Sequence, residues 1–251
     1  MADLFATGIQ MGESPRWHDG RFWMCDWLAG EVLAFDANGD REVITRVQGL
    51  PFSIDWLPDG ELVVTTSNGV VTGTELMPYG AAGQPFNEIV VDAAGRAWVD
   101  MPGAAPWEES KPRIVAVVLP DWSSRHVADD VWFPNGMVVL GDDTLVLAES
   151  HADRLTAWTI TDSGELVDRR VWADLGPGAA PDGICADAEG AIWCASVSDS
   201  AAPASPKAAS CSTRSRPTAV ASRACSAGTT AARSISWPTA TTAVAPRTGS
   251  S

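Results

Sequence analysis

The sequence predicts an all-β chain folded as a β-propeller, and three observations carry that expectation. Turn signals of the Asp-Gly kind fall at Gly20, Gly60, Gly95, Asp143 and Gly190, at intervals of 40, 35, 48 and 47 residues. Each lies between two short runs rich in Val, Ile, Leu and Trp. No segment of any length carries the periodicity of an amphipathic helix. Short strands that repeat every ~40–45 residues are the mark of a propeller, one four-stranded blade per repeat. The 12 Trp residues supply side chains large enough to fill the wedges between blades.

Five blades can be counted in order. The first opens at Gly12-Glu13-Ser14-Pro15-Arg16-Trp17, turns at Asp19-Gly20 and continues through Arg21–Met24 and Val32–Phe35. Ser53–Leu57, Leu62–Thr66 and Val70–Gly73 make the second. In the third, Pro85-Phe86-Asn87-Glu88 leads into Ile89–Val91, a turn at Ala94-Gly95, Arg96–Val99 and Arg113–Leu119. In the fourth, Phe133-Pro134-Asn135-Gly136 leads into Met137–Leu140, a turn at Asp142-Asp143, Thr144–Ala148 and Leu155–Ile160. The fifth begins at Ala180-Pro181-Asp182-Gly183, with its first strand pair at 184–197 around a turn at Glu189-Gly190. Pro fixes φ and Gly permits φ > 0, so Asp182 is expected on a sharp bend at a strand start.

Composition narrows the function classes. The chain has 251 residues, enough for one large β domain or two small ones, and 45% apolar content, ordinary for a globular core. A formal net charge of −15 argues against nucleic acid or an anionic membrane as partner. Met1–Gly12 lacks the basic and apolar regions of a signal peptide, and no run of about 18 apolar residues could span a bilayer. Cys25, Cys185 and Cys194 lie in apolar runs and read as small buried hydrophobes. Together these features lead us to expect a cytoplasmic location.

The C-terminal residues break the pattern. Residues 201–251 hold no Asp, Glu, Leu or Phe but six Lys or Arg, amid Ala, Ser and Thr. A disordered basic tail would read this way, and so would a reading-frame error. Residues 203–211 can be back-translated so that one cytosine restored after codon 203 gives P-R-V-P-E-G-G-E. The same frame then allows alternating strand patterns and a Gly-Gly-Asp-Asp-Gly turn about 40 residues after Gly190, where a sixth blade is due. We therefore expect residues 1–200 to form a propeller and 201–251 to be an out-of-frame tail, leaving about five of six blades.

Four of these motifs, in order, resemble the gluconolactonase/regucalcin (senescence marker protein) family of six-bladed propellers. They are Gly12–Trp17, Asn87-Glu88 with Val91–Trp98, Pro134-Asn135-Gly136 with Glu149-Ser150 and Arg154-Leu155, and Pro181-Asp182-Gly183 with Asp187, Gly190 and Trp193. The resemblance spans residues 12–200. It implies a divalent cation at the axis, held by Glu13, Asn135 and Asp182, and in many members hydrolysis of sugar lactones. It also implies that Asn87 contacts substrate or a water held by the metal, with Glu88 beside it. Two positions depart from the family: Pro85 stands where many lactonases carry Arg, and Glu88 where Asp is usual.

The residue types suit that chemistry. Inner strands of a propeller start near one mouth of the channel, so equivalent corners converge although they lie far apart in sequence. Two carboxylates and an amide oxygen make a hard oxygen site for Ca²⁺, Mg²⁺ or Mn²⁺ that can also take Zn²⁺. Asp182 is then the candidate general base. Taken singly, Asn135 and Asp182 read as turn formers beside Pro and Gly; with Glu13 and Asn87 at blade spacing they read as a site. His18, His126 and His151 lie in turn-like or polar surroundings, without metal-ligand spacing. Ser14 and Ser150 lack a nucleophile-elbow pattern. Glu149 faces either the channel or solvent.

The expected function is metal-dependent hydrolysis of a sugar or related small lactone, with no nucleic-acid or membrane partner. The alternatives are a non-catalytic propeller that binds a divalent cation or small ligand, and an inactive truncated product.

Overall fold

The computed structural model describes residues 5–80, 85–101, 112–141, 143–187, 190–197 and 209–210. Asp142 and Glu189, expected in turns, and most of the segment 201–251 lie outside the described residues. The fold is all-β and propeller-like. Its one described helical element is a 3-10 turn at Ser150–Ala152.

The strands follow the chain in order. The first sheet holds β1 (Gly12–His18), β2 (Arg21–Asp26), β3 (Glu31–Phe35) and β4 (Arg41–Arg46). The second holds β5 (Ile54–Trp56), β6 (Leu62–Thr66), β7 (Gly69–Thr72) and β8 (Met77–Gly80). The third holds β9 (Ile89–Val91), β10 (Ala97–Met101), β11 (Pro112–Val118) and β12 (Ser124–Trp132). The fourth holds β13 (Pro134–Leu140), β14 (Thr144–Glu149), β15 (Arg154–Ile160) and β16 (Leu166–Asp174). All four are antiparallel meanders, as a blade requires. The fifth sheet has β17 (Pro181–Ala186) antiparallel to β18 (Ile192–Ser196). Its third member, β19 (Ala209–Ser210), runs parallel to β18, unlike every other described pair.

The first three strands of each blade were legible because they are apolar. Among the fourth strands, β16 has six exposed residues of nine and β4 three of six with the rest half-buried, so no apolar alternation announced them.

Hydrophobic clusters sit between successive blades. Cys25, Val32, Ile54 and Val64 join blades one and two. Val63, Phe86, Ala97 and Val118 join two and three. Trp98, Val117, Leu145 and Trp158 join three and four, and Val146, Leu155, Ile184 and Cys194 join four and five. Fully burying each large aliphatic or aromatic side chain is worth about 1.5–3 kcal/mol, against about 0.5–1.5 kcal/mol net for a hydrogen bond. These wedges therefore hold the blades together, and the polar contacts near the axis set geometry. Cys25, Cys185 and Cys194 are buried, as expected.

The blade turns repeat in atomic detail. In blade three Asp92 accepts the Ala94 and Arg96 amides and the Trp98 indole N–H at 2.9 Å. In blade five Asp187 accepts the Ala191 amide and the Trp193 indole N–H, again at 2.9 Å. The Asp-x-x-Gly-x-x-Trp spacing thus folds the hairpin and anchors its Trp through one carboxylate.

Candidate axial site

Each candidate ligand sits at the head of an inner strand where the β-ladder is interrupted. In β13 the register passes from Pro134 opposite Glu149 to Met137 opposite Leu147, so Asn135 and Gly136 share one partner position. In β17 it passes from Pro181 opposite Ser196 to Ile184 opposite Cys194, which leaves Asp182 and Gly183 in the same place. In β1 it passes from Glu13 opposite Cys25 to Arg16 opposite Trp23, so Glu13 is the last paired residue before its bulge. Bulges bend a strand and re-aim its side chains.

The bend does not come from glycine. Phe133 and Ala180, each two residues before a candidate ligand, have φ of 51° and 38°, and Ser14 has φ of 47°. These are left-handed values that cost a non-glycine residue about 1–3 kcal/mol and cluster at functional sites. Equivalent backbone bonds hold the corners: Ser150 N–H to Phe133 C=O at 3.0 Å, Val197 N–H to Ala180 C=O at 3.0 Å, and Trp27 N–H to Met11 C=O at 2.8 Å. The positive φ that a glycine would permit at these corners is therefore taken up by Phe133 and Ala180, and not by Gly136 or Gly183. Gly136 instead serves close approach: a Cβ there would lie 2.5 Å from Ile184 N and 2.7 Å from Asp182 O.

Four of the five candidate side chains interact. Burial, then the charges of Asp182 and Glu88, push the Glu13 carboxyl up to about 8. Burial and the Glu88 charge push Asp182 up to about 6, against hydrogen bonds from the Asn135 side chain and the Gly183 amide that favour its ionised form. Glu13, Glu88 and Asp182, from three different blades, thus lie close enough for their charges to act on one another, with Asn135 of a fourth blade beside Asp182. Asn87 is also buried, at 9% exposure, with its backbone N–H on Asp100 C=O and its C=O accepting the Thr65 hydroxyl.

Glu88 is more heavily engaged than its sequence position suggests. Its Oε1 accepts Ser14 Oγ at 2.8 Å, and its Oε2 accepts Arg16 at 3.2 Å and Ser53 Oγ at 3.3 Å. Blades one and two both donate to this one carboxylate of blade three. Arg16 is 4% exposed and reaches across to the Ile89 C=O as well. Sequence reasoning passed over Arg16, Ser53 and Asp100. An Arg between Pro15 and Trp17 and an Asp following Trp98-Val99 were the available signals, since such groups are buried rarely and only with a reason. Asp100 is fully buried; its carboxyl accepts the Glu88 amide at 3.4 Å while Oδ2 has no hydrogen-bond partner. Burial, then the Glu88 charge, raises its pKa well above the carboxylate range.

Glu149 faces neither channel nor solvent. It is 0% exposed, where it accepts the Trp132 amide, Arg154, Arg169 and the Thr156 hydroxyl. His18 stacks on Trp56 at 3.9 Å, and His151 packs on Phe133 at 4.6 Å.

The site's donor chemistry can be compared with that of a divalent cation. Among the described residues no three His, Cys, Asp or Glu side chains form a ready ligand group. The candidate set is two carboxylates and an amide, all oxygen donors. With Glu88 and Arg16 counted, the cluster has an excess of two negative charges when ionised. A doubly charged cation with hard-ligand preference fits that balance.

The comparisons with known proteins agree with this architecture. The family model for the SMP-30/Gluconolactonase/LRE-like region matches residues 11–229. The chain belongs to this family. A pentonolactonase, XacC of Haloferax volcanii, is 25% identical over 201 residues, covering 75% of this chain and 67% of that protein. A gluconolactonase from Xanthomonas campestris superposes with a TM-score of 0.61 at 22% identity, covering 74% of this chain and 70% of the other. Regucalcin from Agrobacterium tumefaciens, described as a calcium-binding protein, superposes with a TM-score of 0.62 at 19% identity, covering 77% and 72%. Among the described residues no helix is long and apolar enough to cross a membrane.

Proposed function

We propose that this chain is a lactone hydrolase acting on a sugar or related small lactone, with one divalent cation held by Glu13, Asn135 and Asp182 where the blades converge. The observation that carries the reading is the meeting of Glu13, Asn135 and Asp182 from three blades, with Glu88 beside them. Family membership and relatives named as pentonolactonase and gluconolactonase support the reaction class. The relative described as calcium-binding supports a cation. Ca²⁺, Zn²⁺, Mg²⁺ and Mn²⁺ all suit the oxygen donors.

A bound cation supplies Lewis-acid polarisation of a lactone carbonyl and lowers the pKa of a water. Asp182 takes the proton of the attacking water and returns it to the ring oxygen as the acyl–oxygen bond breaks. Asn87 and Glu88 bind the substrate. The Glu88–Ser53 contact, the longest of the three on that carboxylate at 3.3 Å, is the one a substrate hydroxyl replaces.

Asp182→Asn tests the base role, because its amide oxygen still ligates. Glucono-δ-lactone hydrolysis is expected to fall about 10²–10⁴-fold with cation binding retained, and full activity would sink the assignment. Chelation is expected to abolish turnover and added cation to restore it. A propeller that only binds cations would take up Ca²⁺ yet leave the lactone at its uncatalysed rate.

A further inference from the structure

The turn that follows β14 does more than connect strands. Ser150 is 4% exposed, and its hydroxyl donates to the Pro181 C=O at 2.6 Å, the carbonyl immediately before Asp182. The same oxygen accepts the Asn135 side-chain N–H at 3.5 Å. Asp153, which closes the turn with φ of 52°, accepts the Gly178 amide at 2.9 Å and the Ala180 amide at 2.8 Å through its carboxylate. Its own C=O accepts the Leu175 amide at 3.0 Å. The loop that delivers Asp182 to the axis is therefore tied to blade four at four points. On its own blade the bonds reach Ala179 and Ala180 from Ser196 and Val197.

We propose that Ser150 is a positioning residue for the axial site, and that the Ser150–Asp153 turn of blade four presents Asp182 of blade five. This rests on the reading of Asn135 and Asp182 as a ligand pair. One hydroxyl touches both corners. It fixes the carbonyl before Asp182, and it receives the side-chain N–H of Asn135. The Asn135 amide oxygen is left as the atom free to meet a cation. A hydroxyl at this point thereby sets the spacing between two donors on different sheets. Partners of this kind typically change metal affinity or activity about ten- to a hundredfold when removed.

The test uses the full chain and three variants, Ser150→Ala, Ser150→Thr and Asp153→Ala. Calorimetric titration with Ca²⁺ and with Mn²⁺ reads the ligand pair directly, steady-state hydrolysis of glucono-δ-lactone separates kcat from KM, and amide hydrogen exchange reads the loop. Ser150→Ala is expected to weaken cation binding about tenfold and to lower kcat more than it raises KM. Exchange should speed up over residues 175–184 and stay unchanged over β2 and β3. Ser150→Thr, which keeps the hydroxyl, should recover cation affinity and kcat, which a purely packing role would not produce. If Ser150→Ala fails to fold, Asp153→Ala carries the same expectation from the other end of the turn. Parental cation affinity and parental loop exchange in Ser150→Ala and Asp153→Ala would overturn the proposal. A parent chain that binds neither cation, with loop exchange still accelerated in the variants, would retire the ligand reading and leave the positioning of the corner standing.

Discussion

Gly136 shows how little room the site's backbone leaves. A methyl group there would meet Ile184 N, Asp182 O and Gly183 Cα, all main-chain atoms at 2.5–2.7 Å, so no side-chain rotation can make space. Gly136→Ala is expected to cost about 1–3 kcal/mol, read as a lower urea midpoint, and to reduce lactone hydrolysis further by pushing the Asp182 corner outward. The two corners were legible in the sequence because Pro and Gly flank a polar residue at blade spacing. The reason first attached to them was incomplete, because the left-handed residues are Phe133 and Ala180. Neighbouring sheets dictate those conformations, and nothing local in Phe or Ala announces them. Asp100 left a signal in the sequence but not its meaning, for a related reason: an acid in an apolar run declares its burial only when the strands on either side are known.

Glu149 is the clearest case at the level of a strand. It terminates β14 and binds β15 and β16 through Arg154 and Arg169. Burial alone would raise its pKa. Hydrogen bonds from Arg154, Thr156 and the Trp132 amide, and the Arg154 charge, outweigh burial and hold it below the ordinary value. The unfolded chain therefore binds this proton more readily than the folded one. The stabilisation is complete above the unfolded value of about 4.3 and is lost as pH falls through the lower folded value. Glu149→Gln is expected to lose about 1–3 kcal/mol near neutral pH, and the difference between parent and variant should shrink steadily as pH falls below the unfolded value, as measured by urea denaturation across a pH series. The same scale explains the missed strands. β4, with mostly exposed or half-buried residues, and β16, with six exposed among nine, carry no apolar alternation to read.

Over the whole molecule, successive wedges of apolar side chains build the ring, and the last sheet is where it departs from the pattern. Blades one to four each have four antiparallel strands, whereas β18 is met by two residues running parallel to it. A meander cannot produce a parallel neighbour, so Ala209–Ser210 does not occupy the role of a third blade strand. Restoring one cytosine after codon 203 is expected to yield a chain with a higher melting temperature, slower proteolysis between residues 181 and 197, and greater lactone turnover than the chain encoded without it. Equal stability and turnover in the two would overturn the reading of residues 201–251 as out of frame. The ladder interruptions at Asn135 and Asp182 carry one more consequence. A residue that belongs to no cross-strand pair can be exchanged without unpicking the sheet around it. The chemistry at the axis is thus held at arm's length from the scaffold, and substitutions there can alter what is bound or turned over while the blades keep their register, a division of labour that lets one architecture be retooled by point changes.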